Sequence, residues 1–300
     1  MSRLFATGLF VTLATMWGLS FPAISVGLEH LPPLLFAAFR YDTAAILLLG
    51  YAVATTDSWR PVGRSNLEAV LWGGLFLVAG NGLLFIGQQT VPSGVAAIQQ
   101  ALVPIMTALW ALLFLGERIS PVGAVGVGVG FLGVGLIVQP DPNNLLTGDT
   151  AGRLIILGQV ISVSLGGVLV DRAAPSMERV AMTGWAMLLA GVVLHALSLG
   201  AGETAPPTIP APIALGAVIY LGVFSTALAF VIYFTILEKR GAFETSLVAY
   251  LVPVVATIAG AVLLGESVGL LTIVGFLVVF VGFALLKRHA LVELAAAGVS

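Results

Sequence analysis

Polar, proline and glycine punctuation cuts this sequence into ten long apolar runs, and a polypeptide built that way has few environments in which it can fold. The runs cover about 4–26, 33–55, 67–88, 94–114, 121–138, 153–171, 179–199, 212–236, 243–264 and 269–287. Each is close to the ~20 residues that cross a bilayer as a helix. Composition agrees: 59% of residues are hydrophobic and only 9% charged, with a mean hydropathy of +1.10, where a soluble domain carries roughly 25% charged residues. The chain is therefore expected to be an all-α membrane protein of ten transmembrane helices with short loops. The first run is too long for a secretory leader and is read as a retained span. A net charge of -2 without any long run of like charges gives no reason to expect nucleic acid, and with no cysteine neither disulfides nor thiolate sites can form.

Basic residues collect in cytoplasmic loops. With the N-terminus inside, Arg3, Arg60, Arg64, Arg118, Arg172, Arg179, Lys239, Arg240, Lys287 and Arg288 all fall on the cytoplasmic side, leaving Arg40 and Arg153 elsewhere. Both termini are thus expected in the cytoplasm and the 140–152 loop outside.

The stretch 101–117, ALVPIMTALWALLFLGE, returns at 250–266 as YLVPVVATIAGAVLLGE. Leu102, Val103, Pro104, Leu115, Gly116 and Glu117 match Leu251, Val252, Pro253, Leu264, Gly265 and Glu266 at an offset of 149 residues. The same register continues through Val125/Val274, Gly126/Gly275, Phe131/Phe280, Gly133/Gly282 and Leu136/Leu285, and reaches back to Gly73/Gly222. Two five-span halves follow, residues 1–140 and 150–288, with 289–300 as a cytoplasmic tail. Five is odd, so the second half enters the membrane upside down. Inverted repeats around a central cavity are an architecture that many secondary transporters use.

Beyond the repeat, TLATMWGLSFPAI, LLFAAFRYDTAAILLL and ALVPIMTALWALLFLGERIS, followed by a glycine-rich fifth span, resemble the EamA domain of the drug/metabolite transporter superfamily. Both copies are present. The resemblance implies a bacterial inner-membrane exporter with a central cavity, similar to the exporters of aromatic and other amino acids in that superfamily.

Polar and aromatic side chains at mid-depth are the candidates for a substrate site. Counting about 1.5 Å per residue places Trp17, Ser20, Asn81, Gln99, Gln100, Ser162, Ser164, Ser225, Thr226 and Tyr250 nearer the midplane than the headgroups. Hydroxyls can return to their own helix backbone. Amides are expected to need a partner helix or a watery cavity, which favours Asn81, Gln99 and Gln100. Trp17 is deep, and a buried indole N–H wants a partner. Phe21 lies one turn on, and Phe85 enters only through its helical spacing from Asn81. Trp59 and Trp72 sit at headgroup level, while Trp110 and Trp185 are ambiguous. The expected substrate-binding set is Trp17, Phe21, Asn81, Phe85, Gln99, Gln100, Ser164, Ser225 and Tyr250.

Pro104 and Pro253 each remove one backbone N–H near the middle of a span. They are either static kinks or paired hinges that reshape the cavity. Arg40 and Asp42 are the charges well inside a span. Two residues apart, they point to different sides. Arg40 suits a substrate carboxylate or a structural contact to backbone carbonyls, and Asp42 is open to proton coupling. Glu117 and Glu266 end spans 4 and 9 at opposite surfaces, where turn capping is the plain reading. His30, His195 and His289 have no metal-ligand spacing. Gly123, Gly126, Gly130 and Gly133, with Gly275 and Gly282, mark spans 5 and 10 as closely packed scaffold.

The expected function is secondary export of small metabolites by alternating access, with amino acids, aromatic or apolar ones included, as cargo. No cofactor, metal or obligate protein partner is implied; the small-molecule substrate and the bilayer are the partners. A channel-like facilitator, or an exporter of another metabolite or drug, shares these features. An intramembrane enzyme needs a catalytic set that the sequence does not supply.

Overall fold

The computed structural model describes residues 3–139, 148–204 and 211–288. Among them nine helices are long and apolar enough to cross a membrane: α1 (Thr7–Leu28), α2 (Pro33–Thr55), α3 (Arg64–Gly87), α4 (Ser93–Phe114), α5 (Pro121–Val138), α6 (Gly148–Ala173), α7 (Arg179–Gly200), α8 (Pro212–Gly241) and α9 (Glu244–Leu264). A tenth apolar helix, α10 (Leu270–Leu286), is shorter. The protein is an all-helical membrane protein. Helices are forced by the solvent, because a backbone group in hydrocarbon has no water to bond and must be satisfied within its own segment. Residues 140–147, which hold most of the loop expected outside, and the tail with His289 lie outside the described residues.

The second halves of the repeat pack as the first halves do. α4 lies against α6, and α9 against α1; adding five to each helix number exchanges the two contacts. α3 and α8 both widen into a π-helix at equivalent places, Gly73–Val78 and Tyr220–Leu228. α5 and α10 meet through glycines in a reciprocal pattern. A Cβ placed on Gly126 would stand 2.5 Å from the Gly282 carbonyl oxygen, and one on Gly282 would stand 2.6 Å from that of Gly126. Gly133 and Gly275 face each other in the same way, at 2.8 and 2.9 Å. Small residues allow this approach of two backbones, and van der Waals contact then holds the helices.

In one respect the copies differ. α4 is interrupted: helix Ser93–Gln100 stops, and a second helix, Val103–Phe114, starts with Pro104 in its first turn. The equivalent Pro253 lies inside Val248–Leu264, which runs through without a break. The glycines after both helices, Gly116 and Gly265, are left-handed at φ of 70° and 66°, the conformation that closes a helix C-terminus and that glycine adopts without strain.

Carboxylates tie loops to helix ends. Glu266 accepts from the backbone N–H of Ser93, at 2.9 Å, and from its hydroxyl. Glu203 accepts from the N–H groups of Leu34 and Leu35 at 3.1 and 2.9 Å. Each satisfies donors that a helix N-terminus leaves unpaired. Glu266 thus joins α4, in the first half, to the loop that follows α9, whereas Glu117 is exposed.

Candidate functional site

A polar seam crosses the interior of the helix bundle. Its centre is Gln159 on α6, which is buried. The Gln159 side-chain Oε1 accepts from Gln100 Nε2 on α4 at 2.9 Å, and Gln159 Nε2 donates to Asn81 Oδ1 on α3 at 3.0 Å. Asn81 Nδ2 donates to the Leu77 carbonyl at 3.0 Å. An amide was expected to need a partner on another helix. Asn81 has one, and it also bonds its own helix, because the backbone before it is π-helical over Gly73–Val78 and 3-10 over Ala79–Asn81. A departure from the regular ladder leaves carbonyls free for side chains. α3 and α6 come close enough for this through Gly80, where a Cβ would meet the Ser162 side chain, and Gly166, where it would meet the Leu77 backbone.

Arg40 sits beside the seam. It is 9% exposed, and its Nε donates to Thr226 Oγ1 on α8 at 2.9 Å. Thr226 accepts because its own proton goes to the Leu221 carbonyl, five residues back at 2.6 Å, the spacing of a π-helix. The guanidinium carbon lies 5.3 Å from the Tyr41 ring centre and 6.0 Å from that of Phe85, and aromatic faces attract a cation there. Tyr41 interacts with both Arg40 and the Asn81 side chain. Tyr220 feels the same charge and donates from its hydroxyl to the Met16 carbonyl at 3.0 Å, next to Trp17. Trp17 itself packs edge-on to Phe230 and tilted against Tyr233, both on α8.

The structure therefore gathers Arg40, Asn81 and Gln100 and sets Trp17 close by. It disperses the others. Phe85 is an exception, fully buried with its ring beside the Arg40 guanidinium and edge-on to Phe36 at 5.2 Å. Phe21 is buried and offers its carbonyl to Gln88. Gln99 is buried and also reaches α6, but away from the seam, donating to the Arg153 carbonyl at 2.9 Å, while its side-chain Oε1 has no partner among the described residues. Ser164 accepts from the Trp110 indole at 3.2 Å and bonds back to Val160. Ser225 is buried with its hydroxyl unpartnered among the described residues. Tyr250 packs on Phe283 and Phe280 of α10 at 4.7 and 5.2 Å, with its hydroxyl likewise unpartnered. Pro104 and Pro253 lie at the break of α4 and within α9, as described above.

Asp42 points away from the seam. Its carboxylate bonds His195 Nε2 of α7 at 2.7 Å. Trp185 donates to the Trp59 carbonyl at 2.8 Å, with the two indoles stacked 6.2 Å apart. Sequence reasoning misses Gln159, Tyr41 and Tyr220, and weighs His195 only as a metal ligand. Gln159 carries a usable signal, being a lone amide in the apolar run LIILGQVISV. Nothing in the sequence pairs His195 with Asp42, since that depends on how α7 sits on α2.

Apolar helices around a buried polar seam define a multi-pass helical membrane protein whose interior offers polar contacts. The chain belongs to the EamA-like transporter family, whose sequence profile matches it twice, at residues 4–139 and 150–288. It is 34% identical over 263 residues to the uncharacterized inner membrane transporter YedA of Escherichia coli, covering 87% of this chain and 83% of YedA. It is 29% identical over 287 residues to a probable terminal-alkyne amino-acid exporter of Streptantibioticus cattleyicolor, covering 94% of this chain and 93% of the exporter. A protein of known crystal structure superposes with a TM-score of 0.64 at 20% identity, over 96% of this chain and 99% of that one. The family and the two named relatives are transporters, not enzymes.

Proposed function

We propose that this chain is a secondary transporter of the bacterial inner membrane, with both termini cytoplasmic, that exports small metabolites by alternating access. Amino acids, aromatic or apolar ones included, are the substrate class. The observation that carries the reading is the interhelical seam Gln100–Gln159–Asn81, with Arg40 and Thr226 beside it. It draws on helices of both halves. A static bundle gains little from such a seam, because a polar contact between membrane helices contributes only about 0.6 kcal/mol on average. A molecule that must leave water and cross the bilayer needs polar groups at that depth. The resemblance to amino-acid exporters and the name of the Streptantibioticus cattleyicolor relative support the substrate class.

The test is flux. In proteoliposomes loaded with an unlabelled aromatic amino acid, external labelled amino acid should accumulate transiently by counterflow, and its rate should saturate. Flux should fall in Trp17→Ala and Asn81→Ala while both variants still elute as single species in detergent. Near-linear flux without counterflow would identify a pore instead. Wild-type flux in both variants would remove these residues from the site.

A further inference from the structure

We infer that Arg40 holds a carboxylate of the transported molecule, so that the cargo is an acid or a zwitterion with its carboxylate free. The inference rests on the transport reading and narrows it. A guanidinium stays charged at any ordinary pH and presents five N–H donors in a flat fork. In Arg40 only Nε is engaged, by Thr226 Oγ1. The two terminal nitrogens have no acceptor among the described residues, yet neither is sealed off as a fully enclosed unpaired atom. Each keeps some accessible surface on a residue that is otherwise buried.

Nor does the protein neutralise the charge. The ion pairs among the described residues are Arg64–Glu68, Arg153–Asp149, His195–Asp42 and Arg240–Glu244, and none involves Arg40. Asp42, two residues away, is taken by His195 on another face of α2. A structural arginine at this depth would be expected to have a counter-charge or a set of backbone carbonyls, since an unpaired charge out of water is costly. Arg40 has one hydroxyl and two aromatic faces. That arrangement fixes the guanidinium by its Nε edge and leaves the paired Nη edge, which matches the two oxygens of a carboxylate.

The experiment is equilibrium binding to the purified full chain, which needs no flux. The probes are phenylalanine, phenylalaninamide, 3-phenylpropionate and phenethylamine, with the four leucine-skeleton counterparts. The wild type should bind the carboxylate-bearing members about tenfold or more tightly than the matched amide or amine, the scale of a charge-assisted bidentate contact. Arg40→Gln should abolish that preference, and Arg40→Lys should restore part of it, as a point charge without the fork. Equal binding of acid and amide by the wild type, binding of no carboxylate in the panel, or an acid preference that survives in Arg40→Gln would each overturn the inference. Should Arg40→Gln fail to fold, the wild-type comparison of acid with amide decides alone. Acid preference without counterflow would sink the transport reading and leave the assignment of Arg40 standing, so the two fail separately.

Discussion

A charged residue in an apolar span raises one question, namely what neutralises it, and Arg40 and Asp42 have different answers. Asp42 and His195 are each about a third exposed, at 35% and 37%. One turn away on the two helices, Ile46, Val192 and Leu199 are exposed at 71%, 60% and 77%, while Ala38, Ala45 and Ser198 are buried. Residues three and four apart share a helix face, so the pair lies at the lipid-facing edge of the contact between α2 and α7. There each group's best partner is the other. His195→Ala strands a carboxylate against hydrocarbon and should destabilise the protein by about 1.7 kcal/mol, the upper end for contacts between membrane helices. Asp42→Ala combined with His195→Ala should recover much of that loss. A double-mutant cycle from denaturation in detergent measures the coupling, and a value near zero would show the two residues to be neighbours without energetic consequence.

At the scale of the element, the same sequence unit takes two shapes. α4 breaks at Ala101 and Leu102 ahead of Pro104, and α9 runs unbroken through Pro253. Proline weakens a helix by removing an N–H and crowding the preceding turn, but neighbouring helices decide how far the helix bends. The two halves also differ at their surfaces, for Glu266 holds Ser93 whereas Glu117 is exposed. Glu266 borders a surface depression of about 440 Å3 with Ser25, Glu29, Gln89 and Thr90. If the prolines are joints, Pro104→Ala and Pro253→Ala should bias the protein towards opposite facing states. Single cysteines placed near the two ends of the cavity, in a chain with no other cysteine, report this through their labelling by an impermeant reagent from each side, with flux measured in the cysteine-free variants. Identical labelling in both variants with wild-type flux would show static kinks.

Across the whole molecule the two halves meet closely at α5 and α10, where backbone faces backbone. A methyl group added at Gly126 would fall 2.5 Å from the Gly282 oxygen and 2.8 Å from the Leu286 nitrogen, both backbone atoms that cannot rotate away. Gly128, one face round on the same helix, has nothing within 4 Å. Gly126→Ala should therefore cost about 1–3 kcal/mol by overpacking. Gly128→Ala should be neutral or slightly stabilising, since alanine is the better helix former. Thermal unfolding of the two variants in the same detergent checks the contrast, and equal stability would mean that the α5–α10 contact does not hold the halves together.

What the sequence determined by itself is the class and plan of the protein. Ten apolar runs, their approximate limits and the 149-residue repeat are all readable from the order of residues, because the length and polarity of a segment are local properties that hydrocarbon tests one span at a time. The limits moved only where polar residues continue a helix. α6 begins at Gly148 rather than near 153, its first turn held by Asp149 and Arg153 at 2.6 Å, and α8 runs on to Gly241. Asn81 and Gln100 were legible as lone amides, and Arg40 as an intramembrane charge. Their partners were not. Whether Gln159 joins Asn81 to Gln100, whether Arg40 meets Thr226 or a carboxylate, and whether Asp42 faces His195 depend on the rotation and register of each helix against its neighbours. Close packing at sites such as Gly126, Gly80 and Gly166 fixes those quantities, and they emerge only when all the helices are assembled.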